Sequence, residues 1–131
     1  MNKIVICCSV RYLEQVSILV EKLRSSLKYR NTEFIIPSNV PYPFTTDPLE
    51  KFANRQYYYI QIDTSSEVWV YNNSHVGLAT FGEITYALAK NKMVSLLFYP
   101  PIEPLEVVAL VVARAIDVKP IEDLEVMMLN E

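Results

Sequence analysis

Short unbroken apolar runs alternate along this chain with longer stretches whose apolar residues recur at three- and four-residue steps. Runs such as Ile4-Val5-Ile6 and Val68-Trp69-Val70 have no polar side to turn to water, so they predict strands covered on both faces. The longer periods predict helices. Leu13, Val16, Leu19, Val20, Leu23 and Leu27 mark one over residues 12–29, with Glu14, Lys22, Ser25 and Lys28 on its polar face. A second starts at Asp47-Pro48-Leu49-Glu50, where Asp47 can cap, Pro48 suits the first turn and Glu50 suits the positive end; it is expected to reach Asp63. Pro104 and Pro120 read as first-turn residues of helices over 104–114 and 120–129.

Strands are expected at residues 3–8, 33–37, 67–72, 92–98 and 115–118. Strands interleaved with helices give an α/β domain, a flavodoxin/Rossmann-like doubly wound parallel sheet of about five strands with helices on both faces and the order 2-1-3-4-5. In that order the loops after Cys8 and Tyr71 flank one crevice, where open α/β sheets bind ligands. All 131 residues, 51% of them hydrophobic, are expected to form one domain. Residues 38–46, rich in Pro and Tyr, are the one long irregular stretch and read either as a lid or as a plain crossover.

A net charge of −3 provides no basic stripe for extended nucleic acid, although one or two Arg or backbone amide groups suffice for a single phosphate. The first residues lead straight into a buried strand and leave no room for a signal segment or membrane span, so a cytoplasmic protein is expected. Adjacent Cys7 and Cys8 point to opposite faces of a strand and cannot bridge without strain; they read as small buried hydrophobes in a reducing compartment.

The only two glycines, Gly77 and Gly82, fall in one segment ahead of a helix, which excludes the G-x-G-x-x-G and P-loop signatures. Gly77 suits a turn needing positive φ or a close ligand approach. Thr80 and Glu83 have S/T-x-x-E spacing, and two readings stand side by side. In one the pair is a capping box. In the other the Glu83 carboxylate enters the crevice, where an ionised acid can attack an anomeric carbon. Asp63 and Glu67 lie at the far end of the third strand and offer no second acid. Ser9 and Arg11, with nearby backbone amides, suit a phosphate or sugar hydroxyl, or equally an N-cap and a solvated charge. Asn72 and Asn73 end the third strand at the same crevice or simply form a turn. His75, the single histidine, excludes His-based metal clusters and triads and reads as a solvated loop residue, while Trp69 reads as core. In Tyr57-Tyr58-Tyr59 at least one ring is expected at the crevice or at a subunit contact.

The stretches Ile6-Cys7-Cys8-Ser9-Val10-Arg11 and Ala79-Thr80-Phe81-Gly82-Glu83-Ile84-Thr85-Tyr86-Ala87 resemble the C-G-S-x-R and G-T-x-x-E-x-G-x-A patterns of the nucleoside 2-deoxyribosyltransferase-like superfamily, which includes the 2′-deoxynucleoside 5′-monophosphate N-glycosidases. Cys8, Ala79 and Thr85 stand where that pattern has glycines. Residues 97–102 are similar to an L-x-x-P-I-P-like loop of one branch. The resemblance implies cleavage or transfer of an N-glycosidic bond with Glu83 as nucleophile, no cofactor, and a homo-oligomer. The expected ligand is a small nucleoside or nucleotide, and the expected contacts to it are Ser9, Arg11, Asn72, Gly77, Thr80 and Tyr59. The alternative of the same fold is a non-catalytic nucleotide or nucleotide-sugar binding module in which Glu83 only caps its helix.

Overall fold

A computed structural model describes residues 2–100, 105–112 and 114–131. In chain order the elements are β1 (Asn2–Cys7), α1 (Leu13–Arg24), β2 (Thr32–Ile35), α2 (Pro48–Asp63), β3 (Glu67–Val70), α3 (Leu78–Ala89), β4 (Met93–Leu96), α4 (Leu105–Val112), β5 (Asp117–Val118) and α5 (Ile121–Leu129). The five strands form one all-parallel sheet in the order β2-β1-β3-β4-β5, as the alternation of apolar periods predicts. Among the described residues no helix is long and apolar enough to cross a membrane.

The period of two along each strand divides the core into two layers. Ile4, Ile6 and Trp69 meet α1 and α5 on one face. Val5, Cys7, Val68 and Val70 meet α2, α3 and α4 on the other. Trp69 is wholly buried, its ring edge-on to Tyr29 at a centroid separation of 5.5 Å and near Phe34 at 5.9 Å. Its indole N–H donates to Glu67, and Lys119 lies 4.8 Å from the ring centroid while approaching Glu67 at 3.5 Å. Glu67 is thus occupied at the amino end of β3, far from the crevice.

Several boundaries differ from expectation, each for a local reason. The first helix ends at Arg24 rather than continuing to Tyr29. The Ser26 hydroxyl donates to the Leu23 carbonyl and accepts from the Tyr29 amide, closing a turn that drops Tyr29 into the core. Leu27 keeps the helical period yet is 62% exposed, so that period was misleading. Tyr12 belongs to a separate 3-10 turn over Val10–Tyr12. The later strands are shorter than expected: β3 ends at Val70 and β5 spans only Asp117–Val118, although backbone bonds from Tyr71 to Cys7 and from Leu97 to Val70 carry the contact one residue further. Asp47 is the N-cap residue of α2, but its side chain makes no capping bond. The Thr45 hydroxyl instead accepts from the Asp47 amide and donates to Glu50. Pro104, expected to open the fourth helix, lies outside the described residues, as do Pro101 and Ile102 of the loop at 97–102.

Trp69→Ala removes the largest fully buried side chain of the α1/α5 layer together with its edge-on partners. A loss of about 3–5 kcal/mol is expected, read as a lower urea midpoint.

Candidate active site at the carboxyl edge of the sheet

The segments leaving β1 and β3 separate at the centre of the sheet, and a cavity of about 350 Å³ opens beside them. That volume lies in the usual range for a small-molecule site. Cys8, Tyr58, Thr80 and Glu83 line it together with α2 residues Lys51, Asn54 and Arg55. The segment from Pro37 to Thr45 lines it as well, so the irregular stretch forms part of the site.

That segment is fastened at both ends. Asn39 Oδ1 accepts from the Ile36 amide, and Asn54 clamps Tyr42 in both directions, accepting from its amide and donating to its carbonyl. Phe44, on the cavity, has φ of 61° and leaves 81% of its surface exposed. A bulky side chain in the left-handed region is strained, and such strain concentrates at binding sites.

Glu83 reaches the cavity because α3 starts earlier than Thr80. Gly77 is the N-cap residue, extended at φ −79°, and Thr80 lies buried within the first helical turn. The Thr80–Glu83 capping box therefore does not form: a cap needs a non-helical residue at Thr80, and Thr80 is already helical. The expectation of positive φ at Gly77 also fails. Ser74, in the preceding loop, takes the left-handed conformation at φ 63° instead. Glu83 stands in the second turn, partly exposed to the cavity. Burial raises its pKa from 4.5 to about 7, while the Cys7 thiol, donating to the ionised form, and the Arg55 charge pull it down. Both thiols are free and remain neutral, Cys7 pushed well up and Cys8 to about 12, mainly by burial.

The remaining predicted contacts sit elsewhere. Ser9 precedes the 3-10 turn without a side-chain cap and lies between two lining residues, Cys8 and Val10, while Arg11 is exposed and outside the lining. Asn72 is fully buried and spent on structure: its amide donates to the Phe98 carbonyl and accepts from the Phe98 amide, both at 3.0 Å, joining the ends of β3 and β4. Tyr59 stacks on Tyr86 at 4.4 Å between α2 and α3, outside the cavity lining. Its neighbour Tyr58 is the tyrosine of the site, with its hydroxyl donating to the Ile6 carbonyl beneath the cavity. His75 is partly buried, its ring beside Gly77. Among the described residues no cluster of His, Cys, Asp and Glu could hold a metal.

Lys51 and Arg55 were not singled out from the sequence, yet a signal existed. Residues 51, 55, 58 and 62 recur at helical steps on one face of α2, and that face is buried at Tyr58 and Ile62. Two cations occupy the stripe where it passes over the cavity.

Because its folded pKa lies above its unfolded value, Glu83 binds more protons in the native state between pH 4.5 and about 7, and its contribution to stability falls as pH rises through that window. Relative to the parent, Glu83→Gln is expected to gain roughly 3 kcal/mol between pH 4 and pH 8. Urea unfolding of both proteins across that range measures it; parallel curves contradict it.

No sequence-family model matches the chain, and no curated protein matches it by sequence. In fold it is similar to the CMP N-glycosidase of Clostridium botulinum, at 16% identity, TM-score 0.59, with 91% of this chain and 88% of that one covered. It is also similar to a 2-deoxyribosyltransferase of Bacillus psychrosaccharolyticus, at 15% identity, TM-score 0.57, with 72% and 71% covered. At these identities the likeness establishes a shared fold.

Proposed function

We propose that the protein cleaves or transfers the N-glycosidic bond of a nucleoside or nucleoside 5′-monophosphate, with Glu83 as nucleophile. The observation that carries this reading is the Glu83 carboxylate on the cavity at the carboxyl edge of the sheet, free of the cap that would otherwise explain it. The two similar folds, a CMP N-glycosidase and a 2-deoxyribosyltransferase, support the substrate class. In the ionised state Glu83 attacks C1′, and the base leaves with the electron pair of the C–N bond. Water then releases the sugar from the glycosyl-enzyme ester, or a second base accepts it. No metal or cofactor enters these steps. The reading goes with a homo-oligomeric protein in a reducing, cytoplasmic setting, where Cys7 and Cys8 stay as thiols; light scattering that returns a monomer mass removes the oligomer.

One observation favours a second reading, a nucleotide-binding module without turnover. Glu83 is the only carboxylate among the described residues lining the cavity, and with a pKa of about 7 a large share of it is protonated at neutral pH. A panel of deoxynucleosides and their 5′-monophosphates assayed for free base separates the two.

For the enzyme, kcat/KM is expected to rise with pH through about 7 as Glu83 ionises. Glu83→Gln is expected to lower it by at least about 1,000-fold, in line with loss of a covalent nucleophile. Base release that survives this substitution overturns the assignment. Ligand-dependent thermal stabilisation without product selects the binding module.

A further inference from the structure

We propose that Lys51 and Arg55 form an anion subsite that makes a nucleoside 5′-monophosphate, rather than the free nucleoside, the preferred ligand of the cavity. This rests on the reading of the cavity as a nucleoside site and adds the group that orients the ligand within it.

Three features of α2 support the subsite. Lys51 and Arg55 both line the cavity and stand one turn apart on the helix face that buries Tyr58 and Ile62. Apolar side chains are the ordinary occupants of such a stripe, so two exposed cations here mark where it leaves the core and passes along the open cavity. Their placement is also locally unfavourable. Like charges four residues apart repel, and Lys51 sits near the positive end of the helix dipole, where acids are preferred. Finally, neither cation takes part in any ion pair among the described residues, whereas Lys90 and Lys119 each have a carboxylate within 4 Å. Arg55 acts on Glu83 only through its charge.

A phosphate dianion resolves these tensions. It removes the repulsion between the two cations, and the Arg55 guanidinium can meet it with paired N–H donors. The geometry of a nucleotide also suits the arrangement. The phosphate hangs from C5′ and the base from C1′, on either side of the ring oxygen, so a nucleotide in the cavity can meet cations from α2 and the carboxylate from α3 at once. Arg55 shares the cavity with Glu83 and lowers the cost of its charge, so the same cation offsets part of the repulsion between a bound phosphate and the carboxylate.

The test is calorimetric titration of the full chain with the four deoxynucleoside 5′-monophosphates, their nucleosides and inorganic phosphate, using the parent protein, Lys51→Ala, Arg55→Ala, the double variant and Arg55→Lys. Monophosphates are expected to bind the parent at least tenfold more tightly than nucleosides. Each alanine variant is expected to weaken monophosphate binding by about 10- to 100-fold. Nucleoside affinity is expected to fall far less than monophosphate affinity in each variant, and Arg55→Lys to recover part of the loss. Both residues are exposed on the helix surface, so an unchanged melting temperature verifies that the variants are folded.

Equal binding of nucleosides and monophosphates by the parent, no monophosphate binding, or a phosphate preference that survives in the double variant overturns the proposal. In the last case the phosphate is held elsewhere, as at Ser9 and Arg11. Tight binding of inorganic phosphate that is lost in the double variant supports the subsite. Base release measured on the same samples reports separately on Glu83: a phosphate preference without base release keeps the subsite and removes cleavage, and base release without the preference does the reverse.

Discussion

The pairing of β1 with β3 is the contact from which the rest of the molecule is arranged. Val5 opposes Val68, Ile6 opposes Trp69 and Cys7 opposes Val70, and all six side chains are buried. From this pair the sheet grows outward in opposite directions, to β2 beyond β1 and to β4 and β5 beyond β3. The segments that leave the two central strands therefore part, one toward α1 on the first face and the other toward α3 on the second. A gap at their carboxyl ends follows from the winding. Tyr12 donating to the Asn73 carbonyl and Asn72 bridging to Phe98 hold the surrounding loops in place.

Glu83 gathers opposing electrostatic demands at that gap. Burial favours the neutral acid, while the Cys7 thiol and the Arg55 charge favour the carboxylate. An acid balanced near neutrality is costly to ionise in the folded state, and that cost is the kind of local instability sites retain for chemistry. Had α3 begun at Thr80, the same side chain would have met the helix end and its pKa would have been set by the cap. Starting the helix at Leu78 turns Glu83 toward the cavity instead.

Consecutive residues on α2 show how finely the layout depends on helix rotation. Tyr58 lies beneath the cavity and bonds to β1, whereas Tyr59, about 100° around the axis, stacks on Tyr86 of α3, whose hydroxyl donates to Asp63. A run of three tyrosines carries no sign of which ring faces inward until the helix is set on the sheet. The same setting puts Lys51 and Arg55 over the cavity on the stripe that buries Tyr58 and Ile62 lower down.

Strand and helix order, the all-parallel sheet and its sequence of strands were legible in the chain alone, because apolar period is a local property that burial on two faces imposes directly. Trp69 in the core and two cysteines unable to pair followed from the same periodicity. Helix ends were less legible, since side-chain bonds such as those of Ser26 and Thr45 decide them and many sequences can supply those bonds. The lining of the cavity was decided only by tertiary structure. Glu83 could be named from its spacing, but whether it capped a helix or faced a crevice depended on where α3 began. Lys51, Arg55, Tyr58 and Phe44 reach the cavity from a helix and a crossover distant in sequence from Cys8 and Thr80. Strand pairing brings these elements together, and no local pattern records it.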